Sequence, residues 1–227
     1  MCGRYASTHS ADDLAIEFDA EMVVGDDAPP PDYNVAPTKP VYVVVQRPEH
    51  RREVRVVRWG LVPPWADSPA VGSRMLNARS ETLLTSRAFA PAAAARRCLV
   101  PASGWYEWTT TDDGRQPYYI TPRDGRPLAF AGLYEFWRGN GTVLISCTIV
   151  TTEAREELES VHSRMPVVLR PEQRRAWLDP AREDPSELLA GDVPDLELRP
   201  VGPAVGNVAN NGPALQERYE PLAQRLF

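Results

Sequence analysis

Three dipeptides that reverse the backbone, Asp113-Gly114, Asp124-Gly125 and Asn140-Gly141, each lie between apolar or aromatic runs. Asp-Gly and Asn-Gly supply the positive-φ positions that tight hairpins need, so the middle of the chain is expected to be antiparallel β. The remainder is cut as finely. With 23 prolines and 14 glycines in 227 residues, many turns and short elements are favoured over long helices. Val41 to Gln46 and Glu53 to Trp59 are β-branched runs around a polar turn and predict another hairpin. Cys98 to Pro101, Trp105 to Trp108 and Leu196 to Arg199 read as strands, and Val143 to Val150 reads as the best buried one. Ser10-Ala11-Asp12-Asp13 ahead of Leu14 and Phe18 predicts a capped short helix. Ser80 to Phe89 predicts a second helix and Thr152 to Val161 a third, with Glu153 in its first turn. Pro171 starts a fourth that stops at Asp179 before Pro180. The acidic, proline-rich stretch Gly25 to Asp32 is a loop. With no internal repeat and no boundary, residues 1–227 read as a single α+β domain: β-rich, built of antiparallel hairpins in barrel-like sheets, with short peripheral helices.

The charge balance narrows the functions. A net charge of −6 and a pI of about 5.2 exclude a protein that coats nucleic acid through an overall positive field. Any nucleic-acid contact must be a local patch. Lys39 is the only lysine, and the rest of the Lys and Arg total is arginine. Either GC-rich coding or arginine's bidentate grip on phosphate accounts for the skew. It has a chemical consequence whichever is true: arginine supplies no amine for an imine, so only the α-amine and Lys39 remain.

Cys2, Cys98 and Cys147 cannot all pair within one chain, and none forms a C-x-x-C. His9, His50 and His162 are scattered. A disulfide framework and a structural zinc site are therefore not expected, nor is any other metal or organic cofactor. The opening MCGRYASTHS has no apolar h-region, and no apolar run approaches the roughly 20 residues that span a bilayer. A cytoplasmic monomer without membrane contact is expected.

Cys2 is the chemical centre of the sequence. Aminopeptidases remove an initiator methionine when the second residue is small, which leaves a mature chain beginning at Cys2. An N-terminal cysteine carries an α-amine of reference pKa about 7.7–8.0 beside a thiol of about 8.5, so both are partly nucleophilic near neutral pH. The pair suits aldehydes: the amine forms an imine and the thiol closes a five-membered thiazolidine. From its position alone, Cys2 reads equally as an ordinary second residue.

The stretches Met1-Cys2-Gly3-Arg4-Tyr5, Tyr33-Asn34-Val35-Ala36-Pro37-Thr38, Trp59-Gly60-Leu61-Val62-Pro63-Pro64-Trp65, Asn77-Ala78-Arg79-Ser80-Glu81-Thr82, Gly104-Trp105-Tyr106-Glu107-Trp108 and His162-Ser163-Arg164-Met165-Pro166 occur in this order. Together they resemble the SOS response-associated peptidase (SRAP) family, and the tail around Val208 to Pro213 resembles its ending. The resemblance implies a thiol enzyme that senses abasic sites in single-stranded DNA. It implies a stable thiazolidine crosslink between the N-terminal cysteine and the ring-opened sugar, which shields the lesion during the DNA damage response. Autopeptidase and lyase-like activities, and association with the nucleoid when bound to damaged DNA, follow from the same resemblance. It gives catalytic roles to Cys2, Asn77, Glu107 and His162. One departure is Ala88 in Ser86-Arg87-Ala88-Phe89, where the family often has a bulkier residue, which removes a wedge but not the chemistry.

Each of these residues has a plainer alternative. Strand alternation puts Glu107 on the face of Trp105, where desolvation by indole raises a carboxyl pKa and suits it to acid–base work; the alternative is an exposed edge glutamate. His162 is placed to shuttle protons near neutral pH, or simply ends a helix. Asn77 is read as orienting the Cys2 amine or the sugar, or as a turn residue. Arg79 shares its face and suits a phosphate, with Arg4, Arg87 and Arg164 as further DNA-binding candidates against a solubility role. Trp65 and Pro40 suit an apolar shelf for exposed bases, or core packing. Asn34 reads as structural, and Cys98 and Cys147 as buried core thiols.

Three other functions compete. A cysteine peptidase would use Cys2 and His162 as nucleophile and base. An N-terminal-nucleophile amidotransferase also begins Met-Cys-Gly, but its class lacks the other motifs. A non-enzymatic single-strand binding module fits poorly with the acidic pI.

Overall fold

A strand buried on both faces needs unbroken apolar sequence. Val41 to Val45 supplies it to β4 (Pro40–Gln46), whose Val41, Val43 and Val45 join one core while Tyr42 and Val44 join another. The same division runs through β7 (Arg97–Ala102), with Cys98, Val100 and Ala102 on one side and Leu99 on the other. In this computed structural model, residues 2–25, 28–47, 51–112, 114–190 and 195–219 are described. Removal of Met1, Asp26 and Asp27 of the predicted loop, His50 and the Asp113 half of the first turn dipeptide lie outside the described residues.

β4 pairs antiparallel with β5 (Arg52–Trp59) and with β7. β7 pairs with β10 (Leu128–Gly139), and β10 with β11 (Thr142–Glu153). A parallel pairing of β11 with β5, Ser146 to Arg58 and Cys147 to Trp59, joins the two ends of this run. Five strands thus close into a barrel, which removes the open edges that a flat sheet would leave. Val43, Val57, Trp59, Val100, Phe130 and Ile149 belong to the core inside it. Its outer face packs with α1 (Ala11–Phe18), α2 (Ala90–Ala95) and α3 (Pro171–Leu178) through Leu14, Phe18, Ala92, Ala93 and Trp177.

A second sheet runs β13 (Leu196–Pro200), β9 (Gly114–Pro122), β8 (Gly104–Thr111), β1 (Tyr5–Ser7) and β3 (Asp32–Val35). Tyr5, Trp105 and Ile120 turn one of its faces into the barrel core. Ala6, Tyr106 and Tyr119 form a smaller cluster with Val201, Val205 and Leu215. Three short strands extend the barrel: β2 (Glu21–Met22) on β5, and β6 (Asn77–Arg79) and β12 (Arg164–Pro166) on β11.

The β-rich α+β reading holds, as do the hairpin of β4 and β5 and the capped helix α1, where Ser10 and Asp13 bond reciprocally. Asn140 (φ 51°) and Gly141 (φ 74°) join β10 to β11 as their sequence predicts. Asp124-Gly125 turns the chain, with Gly125 at φ 71°, but makes no hairpin: β9 lies in one sheet and β10 in the other, so this turn carries the chain between layers. Two helices are corrected. Ser80 to Phe89 holds only a 3₁₀ turn, Ser80–Thr82, and the α-helix begins at Ala90. The reason is Pro91, whose fixed φ and missing N–H suit the first turn of a helix and not its interior. Thr152 to Val161 holds a 3₁₀ turn, Glu156–Ser160, because β11 is held extended to Glu153 by pairing with β12. Glu156 at φ 55° also blocks a regular α-helix there. Val143 is 54% exposed; burial of β11 begins at Ser146.

Backbones cross closely where β5 ends. Gly60 has φ 113°, and a Cβ there would lie 2.5 Å from the Gly72 carbonyl oxygen. Gly60→Ala combines left-handed strain with a backbone clash, so a loss of about 2–4 kcal/mol is expected in chemical denaturation. An unchanged midpoint would show that the crossing relaxes freely.

Candidate active site at Cys2

The second sheet delivers Cys2 to its surroundings. Tyr5 lies opposite Trp105, and the Tyr106 N–H donates to the Arg4 carbonyl at 3.0 Å. Continued by two residues, that register sets Gly3 opposite Glu107, with Cys2 next to it. Cys2 has no exposed surface and packs in the barrel core with Tyr5, Trp59 and Trp105. Edge-to-face contacts stiffen this floor: Tyr5 to Trp59 at 5.2 Å and Trp105 to Phe130 at 5.8 Å between ring centroids.

Strand β11 organises the other side. Its Thr151 pairs with Arg79 of β6 and with Pro166 of β12, so the two short strands flank it. β6 places Asn77, whose Nδ2 donates to the Cys2 carbonyl at 2.9 Å. The Asn77 Oδ1 is buried and has no hydrogen-bond partner among the described residues. Just before β12 lies His162, anchored by its N–H to the Leu158 carbonyl at 3.0 Å. Its Nδ1 accepts the Arg164 backbone N–H at 2.9 Å, which leaves the proton of the neutral ring on Nε2.

The electrostatics follow from burial. Desolvation pushes the Cys2 thiol well above its ordinary range, and the Glu107 carboxylate pushes the same way. The thiol therefore stays protonated. Glu107 is 4% exposed, and desolvation raises its carboxyl above the ordinary carboxylate range, with the charge of His162 opposing. Cys2, Asn77, Glu107 and His162 are thus linked pairwise: Asn77 to Cys2 by a hydrogen bond, Glu107 to both Cys2 and His162 by charge.

The six other residues singled out in the sequence fall into different settings. Arg79 is exposed, alternates with buried Ala78 as Asn77 does, and its side chain makes no hydrogen bond or ion pair among the described residues. Trp65 is 49% exposed with the Arg87 guanidinium 4.8 Å from its ring centroid. Arg4 turns to the structure: its Nη1 donates to Asn34 Oδ1 at 2.8 Å and to the Val205 carbonyl at 2.9 Å. Asn34 is structural as read, since its Nδ2 donates to the carbonyls of Val205, Asn207 and Asn210. Pro40 is exposed and lines a cleft of about 350 Å³ with Pro29, Pro30, Lys39 and Val41. Arg164 is engaged internally, bidentate to Glu81 at 2.5 and 3.0 Å and to the Thr151 carbonyl at 2.7 Å. Glu81 was missed as a site residue although it stands in a quoted motif; its partner is 83 positions away, and no local signal joins them. Cys98 and Cys147 are fully buried, as read. Among the described residues no cluster of His, Cys, Asp or Glu is placed to hold a metal, and no helix is long and apolar enough to cross a membrane.

Fold and site define a β-barrel protein with a sequestered thiol, an amide bonded to the backbone of the same residue, and a carboxylate that interacts by charge with the thiol and with an imidazole. A family model described as SOS response associated peptidase (SRAP) matches residues 1–208, and the chain belongs to this family. It is 36% identical over 225 residues to the abasic site processing protein YoqW of Bacillus subtilis, covering 96% of this chain and 100% of that one. It is also 36% identical over 224 residues to the abasic site processing protein YedK of Escherichia coli, covering 95% and 98%. A crystal structure of a protein from Bacteroides thetaiotaomicron superposes with a TM-score of 0.86 at 23% identity, over 96% of this chain and 100% of that one, which shows a shared fold.

Proposed function

We propose that this protein processes abasic sites in DNA, and that it does so by forming a covalent thiazolidine with the lesion through Cys2 in single-stranded DNA. The observation that carries this reading is the Asn77–Cys2 hydrogen bond, which fixes the backbone of residue 2 beside Glu107. Once Met1 is removed, the α-amine of Cys2 has near it a carboxyl that burial raises above the ordinary carboxylate range.

The buried thiol orders the steps. Because it stays protonated, the amine attacks first. The amine nitrogen adds to the aldehyde carbon of the ring-opened sugar, and the oxygen takes a proton. That proton comes from the nitrogen; Glu107 supplies a second as the oxygen leaves as water, then takes back the proton remaining on nitrogen, and a neutral imine remains. Sγ then adds to the imine carbon while the thiol proton passes to nitrogen, closing the five-membered ring. One water is lost overall and no redox change occurs. His162, with its proton on Nε2, serves the opening of the sugar hemiacetal. No metal or organic cofactor is used. The protein acts as a monomer in the cytoplasm, at the nucleoid when damaged DNA is bound. The named relatives, both abasic site processing proteins, support the substrate class.

Intact-protein mass spectrometry after incubation with an abasic single-stranded oligonucleotide, without borohydride, tests the reading. A stable adduct on residue 2, with Met1 absent, is expected. Met1 removed, DNA intact and no adduct would shift the function to amide substrates and a peptidase or amidohydrolase.

Arg79 is the phosphate contact in this reading. Arg79→Ala is expected to weaken binding of undamaged single strands and to lower the slope of log K against log salt by about 0.7, the value for one phosphate contact on a single strand. A slope equal to wild type would remove Arg79 from the DNA path.

A further inference from the structure

The Glu81–Arg164 pair joins the segment that carries Asn77 to the segment that carries His162. Glu81 lies on the 3₁₀ turn that directly follows β6. Arg164 opens β12. The bond is bidentate, at 2.5 and 3.0 Å, and the Arg164 side chain is only 14% exposed. The same guanidinium reaches across β11 to the Thr151 carbonyl at 2.7 Å. Four donor–acceptor contacts therefore fix Arg164 in place, counting the backbone N–H that it gives to His162 Nδ1 at 2.9 Å. Hydrogen bonding to Arg164 holds the Glu81 carboxyl below its ordinary range, so it is charged at neutral pH.

We propose that Glu81 is a positioning residue: through Arg164 it fixes the ring of His162 in the Nε2–H tautomer and locks the His162 segment to the Asn77 segment. Arg164 is the link between the two segments in this clamp. The guanidinium's planar fork suits the task, since two parallel N–H···O bonds fix direction as well as distance. Thr151 closes the geometry, because it pairs with both short strands. The consequence for activity rests on the function proposed above; the consequence for the imidazole does not.

The two are separated by measuring both on the full chain. Imidazole ¹⁵N spectra of wild type, recorded at a pH where the ring is neutral, are expected to show the His162 proton on Nε2. Glu81→Ala is expected to give a mixture of tautomers, and Glu81→Gln, which keeps one hydrogen bond, an intermediate result. Adduct formation at saturating abasic oligonucleotide is expected to fall about tenfold in Glu81→Ala, a fraction of the ~10²–10⁴-fold that a positioned acid–base group contributes. The oligonucleotide concentration for half-maximal rate should stay within about twofold of wild type, as it does when only the chemical step is weakened. An unchanged rate in Glu81→Ala would overturn the proposal, because the clamp would then have no effect on the chemical step. An unchanged His162 tautomer would also overturn it, whatever the rate. A changed tautomer in a protein whose wild type forms no adduct would leave the clamp standing and sink the crosslinking reading instead.

Discussion

Cys2→Ala is expected to abolish the stable adduct with an abasic single strand while leaving binding of the undamaged strand close to wild type. Alanine is also small, so the α-amine is still uncovered when Met1 is removed. That amine can form an imine, but no sulfur is present to close the ring. Adducts in this variant should therefore be seen only when borohydride is added. Cys2→Ser refines the test, since it keeps a weak oxygen nucleophile at the same place and is expected to behave like the alanine variant. The contrast separates the two halves of the N-terminal cysteine: borohydride-trapped product reports the amine, and product stable without it reports the thiol. A stable adduct in Cys2→Ala would move the chemistry to Lys39, the only other amine, whose Nζ is held by Asp32 at 2.7 Å.

Glu107→Gln is expected to move activity and stability in opposite directions. Burial raises this carboxyl, so the folded protein favours its protonated form. Such a group contributes stability that is fully present below the ordinary carboxylate range and is lost as pH rises through the raised value. Glutamine resembles the protonated carboxyl at every pH. Near neutral pH the variant should therefore melt about 2–4 °C higher than wild type, the response of a chain of this size to a modest gain. The two curves should converge as the pH falls into the ordinary carboxylate range. Adduct formation should nonetheless slow by about 10²-fold or more, since glutamine cannot release a proton. A fall in both melting temperature and rate would make Glu107 a packing residue. A rate that holds while the melting temperature rises would take proton transfer away from it.

Much of the fold was legible because its cues are local. The run of valines that became β4, the Ser10–Asp13 cap and the Asn140-Gly141 hairpin are each specified within a few residues. What was not legible depends on distant partners. Nothing near Ser146 and Cys147 announces that they pair in parallel with Arg58 and Trp59 and so close the barrel. Thr152 and Glu153 look like a helix start, yet pairing with Met165 and Arg164 keeps them in a strand. The site divides in the same way. The residue types were readable from six motifs; Asn77 bonds the Cys2 carbonyl, and Glu107 interacts by charge with Cys2 and with His162. Arg4 and Arg164 read as phosphate candidates or surface charges, with no sign of an internal partner. One serves Asn34 and Val205, the other Glu81, and both ties span long stretches of chain.

The wide spacing of these parts bears on how the protein is made. Cys2 leaves the ribosome first, but the strand that carries Glu107, the segment that carries His162 and the Val205 to Asn210 carbonyls that Asn34 grips are made much later. Long-range strand pairing of this kind is slow to form. On the function proposed above, a Cys2 freed of Met1 would stand in water as an ordinary thiol and amine until those parts are in place. A small free aldehyde that reached it in that interval would condense with it and leave a chain spent before it met DNA. Burial of Cys2 in the finished barrel would then have a second effect: it would hide the reactive end from metabolites, and the yield of competent protein would become a race between folding and the aldehyde load of the cell.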